Sequence, residues 1–410
     1  MLPIYLDNHA TTRVDPRVVD AMLPYLAEDY GNPGSVGHEF GARAREAVEQ
    51  ARATIANSIN AAPAEIVFTS GATESTNLAL RGVAEHPRRR GSHLISVVTE
   101  HKAVLDPLAR LARRGCETTL LPVEPHGSDR AGWLDPQRVA DALRDDTALV
   151  SVMLANNEIG VVQPIAEIAS LCRQRGVPLH TDATQAIGKI PVDLAALGAQ
   201  LVSFSAHKLY GPKGVGALYV RRQRPALRLD PQITGGGQQE GVRSGTLNVP
   251  GIVGFAKAVE LAVAELPTEM PRLAALRDRL WLELVQRVPE LALCGPALTH
   301  LHGPPGAPGA PAPQSHPAAP LRLAHNLNIA IPRVDGEALI LNMPRIAVSS
   351  GAACSSTEPG PSHVLRALGM SDDLARSTLR FGLGRFTTTG DIGVAIEEVA
   401  RAAAHLRGLA

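Results

Sequence analysis

Apolar residues along the chain fall into two alternating rhythms. Short apolar runs occur at Ile66 to Ser70, His93 to Thr99, Thr118 to Val123, Ala148 to Leu154, Val177 to Thr181 and Leu201 to Phe204, and read as buried strands. Between them the spacing turns helical. From His38 to Ile59 the apolar positions Phe40, Ala44, Ala47, Val48, Ala51 and Ile55 share one face. Asp15-Pro16 caps an earlier helix whose apolar face carries Val19, Met22, Leu23 and Leu26, and Asp135-Pro136 and Pro164 open two more. Strands alternating with helices predict an α/β fold with a mainly parallel sheet covered by helices. Functional residues are then expected beyond the carboxyl ends of the strands.

The second half of the chain changes character. A long helical stretch from Ile252 to Val288, with Leu261, Leu266, Leu273, Leu276 and Leu280 on its apolar faces, leads out of the first domain. From Gly295 to Pro320 the composition shifts to Pro, Gly, Ala and His, which cannot bury a core and reads as a disordered surface insertion. Strands return at Asn326 to Ile331, Ile346 to Ser350 and Leu379 to Gly382, and Asp391 caps the closing helix. The expected division is a large domain over residues 16–257 and a smaller α+β domain from residues 1–15 and 258–410.

Polar clusters fall where the strand pattern places chemistry. Ser205, His207 and Lys208 follow the run ending at Phe204, on a loop closed by Gly211 and Pro212. The chain holds five lysines, Lys102, Lys189, Lys208, Lys213 and Lys257, and otherwise takes its positive charge from arginine. An amine can shed its proton and condense with an aldehyde, which a guanidinium cannot, so Lys208 points to a pyridoxal phosphate site. Asp182 ends an apolar strand, where a carboxylate needs a partner; a protonated pyridine nitrogen is one, a neighbouring loop another. His101 follows another strand, placed to lie over the ring and to move protons, or to serve structure alone. Gly71-Ala72-Thr73 joins a strand to a helix and suits either a phosphate or a plain cap. Gly235-Gly236-Gly237 with Arg243-Ser244-Gly245-Thr246 is a second glycine-rich stretch, for phosphate or for an interface. Cys354 sits among small, polar and turn-forming residues, the setting of an exposed working thiol. Arg380 offers a forked donor to a carboxylate. A metal site from His101, His180 and His207 has no supporting spacing.

Charge narrows the possible partners. Lysine plus arginine equals aspartate plus glutamate, 40 each, so no nucleic acid partner is expected. No apolar run is long enough for a membrane span and no signal peptide opens the chain, so a cytoplasmic location is expected. The four cysteines, Cys116, Cys172, Cys294 and Cys354, are scattered without paired spacing, which argues against a disulfide framework or a zinc site.

Several long motifs together resemble one family. Leu-Asp-Asn-His-Ala-Thr-Thr from Leu6, Phe-Thr-Ser-Gly-Ala-Thr-Glu-Ser from Phe68, Thr-Glu-His-Lys-Ala-Val from Thr99, Asn-Asn-Glu-Ile-Gly from Asn156, Ser-Ala-His-Lys-Leu-Tyr-Gly-Pro from Ser205 and Ser-Ser-Gly-Ala-Ala-Cys from Ser349 are similar to those of the cysteine desulfurases. These are class V pyridoxal phosphate enzymes of the aspartate aminotransferase fold (fold type I), and the cysteine motif resembles the branch with a long cysteine loop. The resemblance runs from Tyr5 to about Leu406, broken mainly by the Pro-rich insertion. It implies that Lys208 carries the cofactor, Asp182 pairs with its pyridine nitrogen, Gln185 bonds its phenolate oxygen and His101 stacks on it. It further implies that Ala72, Thr73, Ser205 and His207 hold the phosphate, with Thr246 reaching in from a second subunit of a homodimer with shared active sites. Asn157 and Arg380 would grip the carboxylate of L-cysteine, and Cys354 would take its sulfur as a persulfide, leaving L-alanine. The sulfur would pass to an iron-sulfur scaffold or another acceptor protein. Longer members carry a C-terminal extension that helps dock the scaffold; here the sequence ends soon after the last helix. A selenocysteine lyase or related enzyme on the same fold is the alternative, and a non-catalytic scaffold is the alternative of a different class.

Overall fold

The computed structural model describes residues 2–298, 320–351 and 360–408. Most of the Pro-rich insertion, and Cys354 with its neighbours, lie outside these residues.

The apolar runs assemble into one seven-stranded sheet. Its order across the sheet is Ile66–Thr69, Gly216–Val220, Leu201–Ser205, Leu179–Asp182, Thr147–Ser151, His93–Val97 and Glu117–Leu121. All run parallel except Gly216–Val220, which is antiparallel to both neighbours. Every residue of the three strands Leu179–Asp182, Leu201–Ser205 and Thr147–Ser151 is buried, as expected of a sheet covered on both faces. The six strands of common direction therefore deliver their carboxyl ends to one edge of the molecule.

A second, smaller layer is antiparallel, in the order Ser349–Ser350, Thr378–Gly382, Asn326–Ala330 and Ala292–Leu293. The amino-terminal strand Ile4–Tyr5 pairs in parallel with Ile346–Ala347, so the chain's start is built into the layer formed by its end. Helix Val249–Arg287 serves both layers. Ile252, Phe255 and Val259 pack into the core under the large sheet, whereas Leu273, Leu276, Leu280 and Leu284 pack into the core of the small one. Pro267 and Pro271 lie between these two stretches.

Helix Glu39–Ser58 matches its sequence pattern, with Ala44, Ala47, Val48, Ala51 and Ile55 buried. Phe40, in the first turn, is exposed instead, its ring beside those of Tyr30 and His38. The first helix also departs from expectation. Pro24 interrupts it, giving Pro16–Met22 and then Pro24–Ala27, and the face turned inward carries Val18. Val19, Leu23 and Leu26 are 40%, 53% and 59% exposed.

Candidate active site

At the carboxyl edge of the large sheet the strand ends enclose a cavity of about 550 Å3. Ala72, Thr73, His101, Asn157, Asp182 and Gln185 lie on its wall together with Ser205, His207 and Lys208. Nine residues spread over more than a hundred positions of sequence thus converge because their strands share a direction.

One side of the cavity is an anion cradle. Strand Ile66–Thr69 ends at Gly71, which precedes helix Ala72–Ala84 with φ 155° and ψ 177°, a conformation that belongs to glycine. Gly216 on the adjacent strand is needed too, since a Cβ there would lie 2.7 Å from the Gly71 Cα. The helix start leaves the N–H groups of its first turn unbonded, with the positive end of the helix dipole behind them. Ser205 and His207 face the same space. The cradle is braced from the second glycine-rich stretch, where Arg243 donates to both oxygens of Glu74 at 2.7 and 3.2 Å. Burial works against the Glu74 charge, but the bonds from Arg243 and Ser70 outweigh it and hold the carboxyl below its ordinary range. Thr246 is absent from the cavity wall of its own chain.

Lys208 faces the cavity from the loop after Leu201–Ser205. Its Nζ donates to the carbonyls of His9 and Ala10 at 2.6 and 2.7 Å. Burial, reinforced by Arg380, pulls its amine down to about 8, although Asp182 and Asp7 pull the other way. At neutral pH such an amine is much closer to its nucleophilic form than a solvated lysine. The loop is clamped by the amino-terminal segment. Thr12 Oγ1 donates to the His207 carbonyl at 2.9 Å and accepts from Tyr210 N at 2.7 Å, holding Tyr210 at φ 67°. His207 is lowered to about 4 by burial and by Lys208 and Lys213, so it is a neutral ring near the cradle.

Asp182 is buried and its Oδ1 accepts from Thr184 N at 2.9 Å. Behind it the strands carry a polar chain: His180 lies between the hydroxyls of Ser151, 2.8 Å from Nδ1, and Ser203, 2.9 Å from Nε2. That placement gives His180 a structural role apart from any metal. His101 caps the next helix, its Nδ1 accepting from Ala103 N at 3.0 Å. Burial lowers its pKa despite the nearby Asp182, and the ring is accessible through the cavity.

Gln185 holds the amino-terminal segment as well as lining the cavity. Its Nε2 donates to the His9 carbonyl at 3.0 Å and its Oε1 meets His9 Nδ1 at 3.2 Å. Burial and Arg380 hold His9 well below its ordinary pKa, so the ring is neutral. A single tautomer satisfies it, with Nδ1–H donating to Gln185 and Nε2 accepting from Asn326 at 3.1 Å. Arg380 is not on the cavity wall. Its Nη2 donates to Asp7 at 2.8 Å and to Ser349 at 2.9 Å, its Nη1 to the Asn157 carbonyl at 3.4 Å, and its Nε is buried without a partner among the described residues.

Sequence reasoning gave no role to Asp7, His9, Thr184 and Glu100, although the last two belong to polar clusters that follow strands. The only signal for the first two was their place in a polar cluster at the chain's start. Glu100 is buried, accepts from Met153 N through one oxygen and leaves the other without a partner among the described residues. Burial and the Asp182 charge push its carboxyl well above the ordinary range.

The cavity fits pyridoxal phosphate. It offers an anion cradle, a carboxylate, an amine poised to lose its proton, and the buried Thr184 hydroxyl, which has no hydrogen-bond partner among the described residues. Among the described residues no cluster of side chains suits a metal ion, and no helix is long and apolar enough to cross a membrane.

Known proteins resemble this chain in sequence and fold. The family model for class-V aminotransferases matches residues 4–301. A cysteine desulfurase IscS from Anaeromyxobacter dehalogenans is 52% identical over 395 residues, covering 96% of this chain and 91% of that protein. One from Escherichia coli O139:H28 is 49% identical over 410 residues, covering 100% and 94%. A solved NifS-like protein aligns with a TM-score of 0.85 at 34% identity, over 98% of this chain and 100% of the other. DndA from Streptomyces lividans aligns at 0.72 with 39% identity, over 91% and 97%.

Proposed function

The chain belongs to the class-V aminotransferase family and, within it, to the cysteine desulfurases; from that premise we propose that it converts L-cysteine to L-alanine and moves the sulfur onto Cys354 for delivery to an acceptor protein. The observation that carries this reading is the meeting of Lys208, Asp182, His101 and the cradle at Gly71 in one cavity, with the Lys208 amine drawn down to about 8. Pyridoxal phosphate, when bound, supplies an electron sink that eases loss of the substrate α proton.

The chain's own residues do the rest. Ala72 and Thr73 offer backbone N–H groups to the phosphate, Ser205 its hydroxyl and His207 its ring. Asp182 would pair with the pyridine nitrogen and favour its protonated form. Gln185 would orient the ring, and His101, neutral at physiological pH with Nδ1 accepting from Ala103 and its hydrogen on Nε2, would cover its face and donate a proton from Nε2. Lys208 would hold the cofactor and would move a proton at the substrate α carbon. Arg380 and Asn157 bind the substrate carboxylate, for which Arg380 exchanges part of its contact with Asp7. The Cys354 thiolate attacks the substrate sulfur: one S–S bond forms, one C–S bond breaks, the carbon takes a proton, and no outside oxidant or reductant enters.

Two features support a homodimer. Val19, Leu23, Leu26, Tyr30, Val36 and Phe40 leave exposed apolar side chains within the first forty residues, which supports a homodimer that covers them. Thr246 is off its own cavity and free to complete the partner's cradle. We read residues 16–257 as the cofactor-binding domain and the remainder as the domain that carries the cysteine. Cytoplasm is the proposed compartment, in keeping with the free, buried Cys116, Cys172 and Cys294. The acceptor is an iron-sulfur scaffold or a comparable protein.

The test measures alanine and sulfide from L-cysteine with a reductant. Equal yields are expected, together with loss of persulfide in Cys354→Ala and an unchanged cofactor spectrum. Sustained sulfur transfer by that variant would sink the assignment.

A further inference from the structure

A second cavity, of about 760 Å3, opens at the opposite edge of the large sheet, where the parallel strands begin. Pro178 and Gln200, each immediately before a strand, lie on its wall with Ala148 at the start of another. Its cationic lining is Arg88, Arg89, Arg90, Arg173, Arg221 and Arg228. Among the described residues no aspartate or glutamate lines it, and none of the six forms an ion pair. The contrast with the rest of the surface is plain: Arg144 meets Glu117 at 2.6 Å and Asp146 at 2.8 Å, and Arg366 meets Asp372 at 2.6 Å.

Two of these guanidiniums are held in place by backbone. Arg89 donates to the Ala84 carbonyl at 2.8 Å, and Arg90 to the carbonyls of Asp145 and Arg175 at 3.1 and 2.5 Å. Gly176 makes room for Arg90, since a Cβ there would come within 3.3 Å of its Nη1. Carbonyls orient a guanidinium without neutralising it, so the positive field persists and the concave wall concentrates it. Six like charges in one concavity repel one another, and an anion removes that cost. The floor is apolar, formed by Val83, Ala148, Val177 and Leu227. The volume suits a small molecule.

We propose that this cavity binds a small polyphosphorylated ester, its contiguous phosphates held by the forked arginine donors and its organic part seated on the apolar floor. The site is separate from the catalytic cavity, and the inference does not depend on the desulfurase reading.

Calorimetric titration of the cofactor-loaded enzyme with inorganic tripolyphosphate, and separately with adenosine triphosphate, tests it at fixed salt. Loading the cofactor first keeps the probe out of the catalytic cradle. The expected result is saturable binding near one per chain, tighter for the ester than for tripolyphosphate. Arg173→Gln with Arg221→Gln should weaken it roughly tenfold or more, while Arg279→Gln with Arg287→Gln, an equal loss of charge elsewhere, leaves it unchanged. The cofactor absorbance should stay constant throughout. Absence of saturable binding, equal binding by both double variants, or a titration that tracks the cofactor absorbance would each overturn the proposal. So would a polyglutamate peptide that binds as tightly as tripolyphosphate, which would make the surface a protein-docking one.

Discussion

The two edges of the large sheet treat charge in opposite ways. At the carboxyl edge ions are tied to partners of the chain itself: Asp7 to Arg380, Glu74 to Arg243, and Lys208 to two carbonyls. Glu100, which has no cationic partner among the described residues, has its carboxyl pushed well above the ordinary range instead. At the amino edge six guanidiniums share a cavity with no carboxylate on its wall. Partnered charges fix geometry and tune protonation, which suits chemistry. Unpartnered charges of one sign are held for something from solution.

The strongest way to break this contrast is at Lys208. Lys208→Ala should lower turnover by roughly a thousandfold or more and abolish the absorbance of covalently held cofactor; an unchanged band would mean that another lysine carries it. In the wild-type chain below about 8 the amine keeps its proton and cannot attack, and above it the lone pair is free. Covalent reloading of cofactor-free protein should therefore speed up as pH rises through about 8 and then level off. A profile flat across that window would show that the buried setting does not govern the amine.

A smaller effect is expected at Arg380. Arg380→Gln should reduce kcat/KM for L-cysteine by about 10- to 100-fold, mostly through KM, while the cofactor spectrum persists. An unaltered KM would leave Arg380 as a strut for Asp7 alone. The least effect belongs to the other edge. Ala226→Glu, which sets a carboxylate on the wall of the arginine cavity, should raise stability by roughly 0.2–1 kcal/mol, seen as a higher Tm at low salt that vanishes at high salt. A lower Tm at low salt would mean that the guanidiniums are already compensated.

How far the sequence could be read depends on the range of the interactions. Strand Leu201–Ser205 and helix Glu39–Ser58 lie within a residue of their apolar patterns, because local spacing and burial specify them. The convergence of Lys208, Asp182 and His101 was legible too, since parallel strands place their following loops together. The amino-terminal clamp was not. Asn8 bonds Gly382 across 374 positions and Lys208 bonds His9 across 199, and no local pattern records such pairings. The arginine cavity was hidden for a related reason. A balanced total of charges carries no information on where folding gathers them, and Arg88, Arg173 and Arg228 meet only after the sheet forms. The division at residue 257 falls inside helix Val249–Arg287, whose periodicity runs on without a break.

That helix is a beam shared by two rooms. Unfolding either core strips one half of its apolar face, so the two layers should melt together in a single calorimetric transition. Its two prolines lack the N–H that would bond one turn back, and both fall between the stretch fastened to one core and the stretch fastened to the other. Bending is therefore cheapest at that joint, and any tilt of the small layer over the cofactor cavity would turn about Pro267 and Pro271, leaving both packed halves intact.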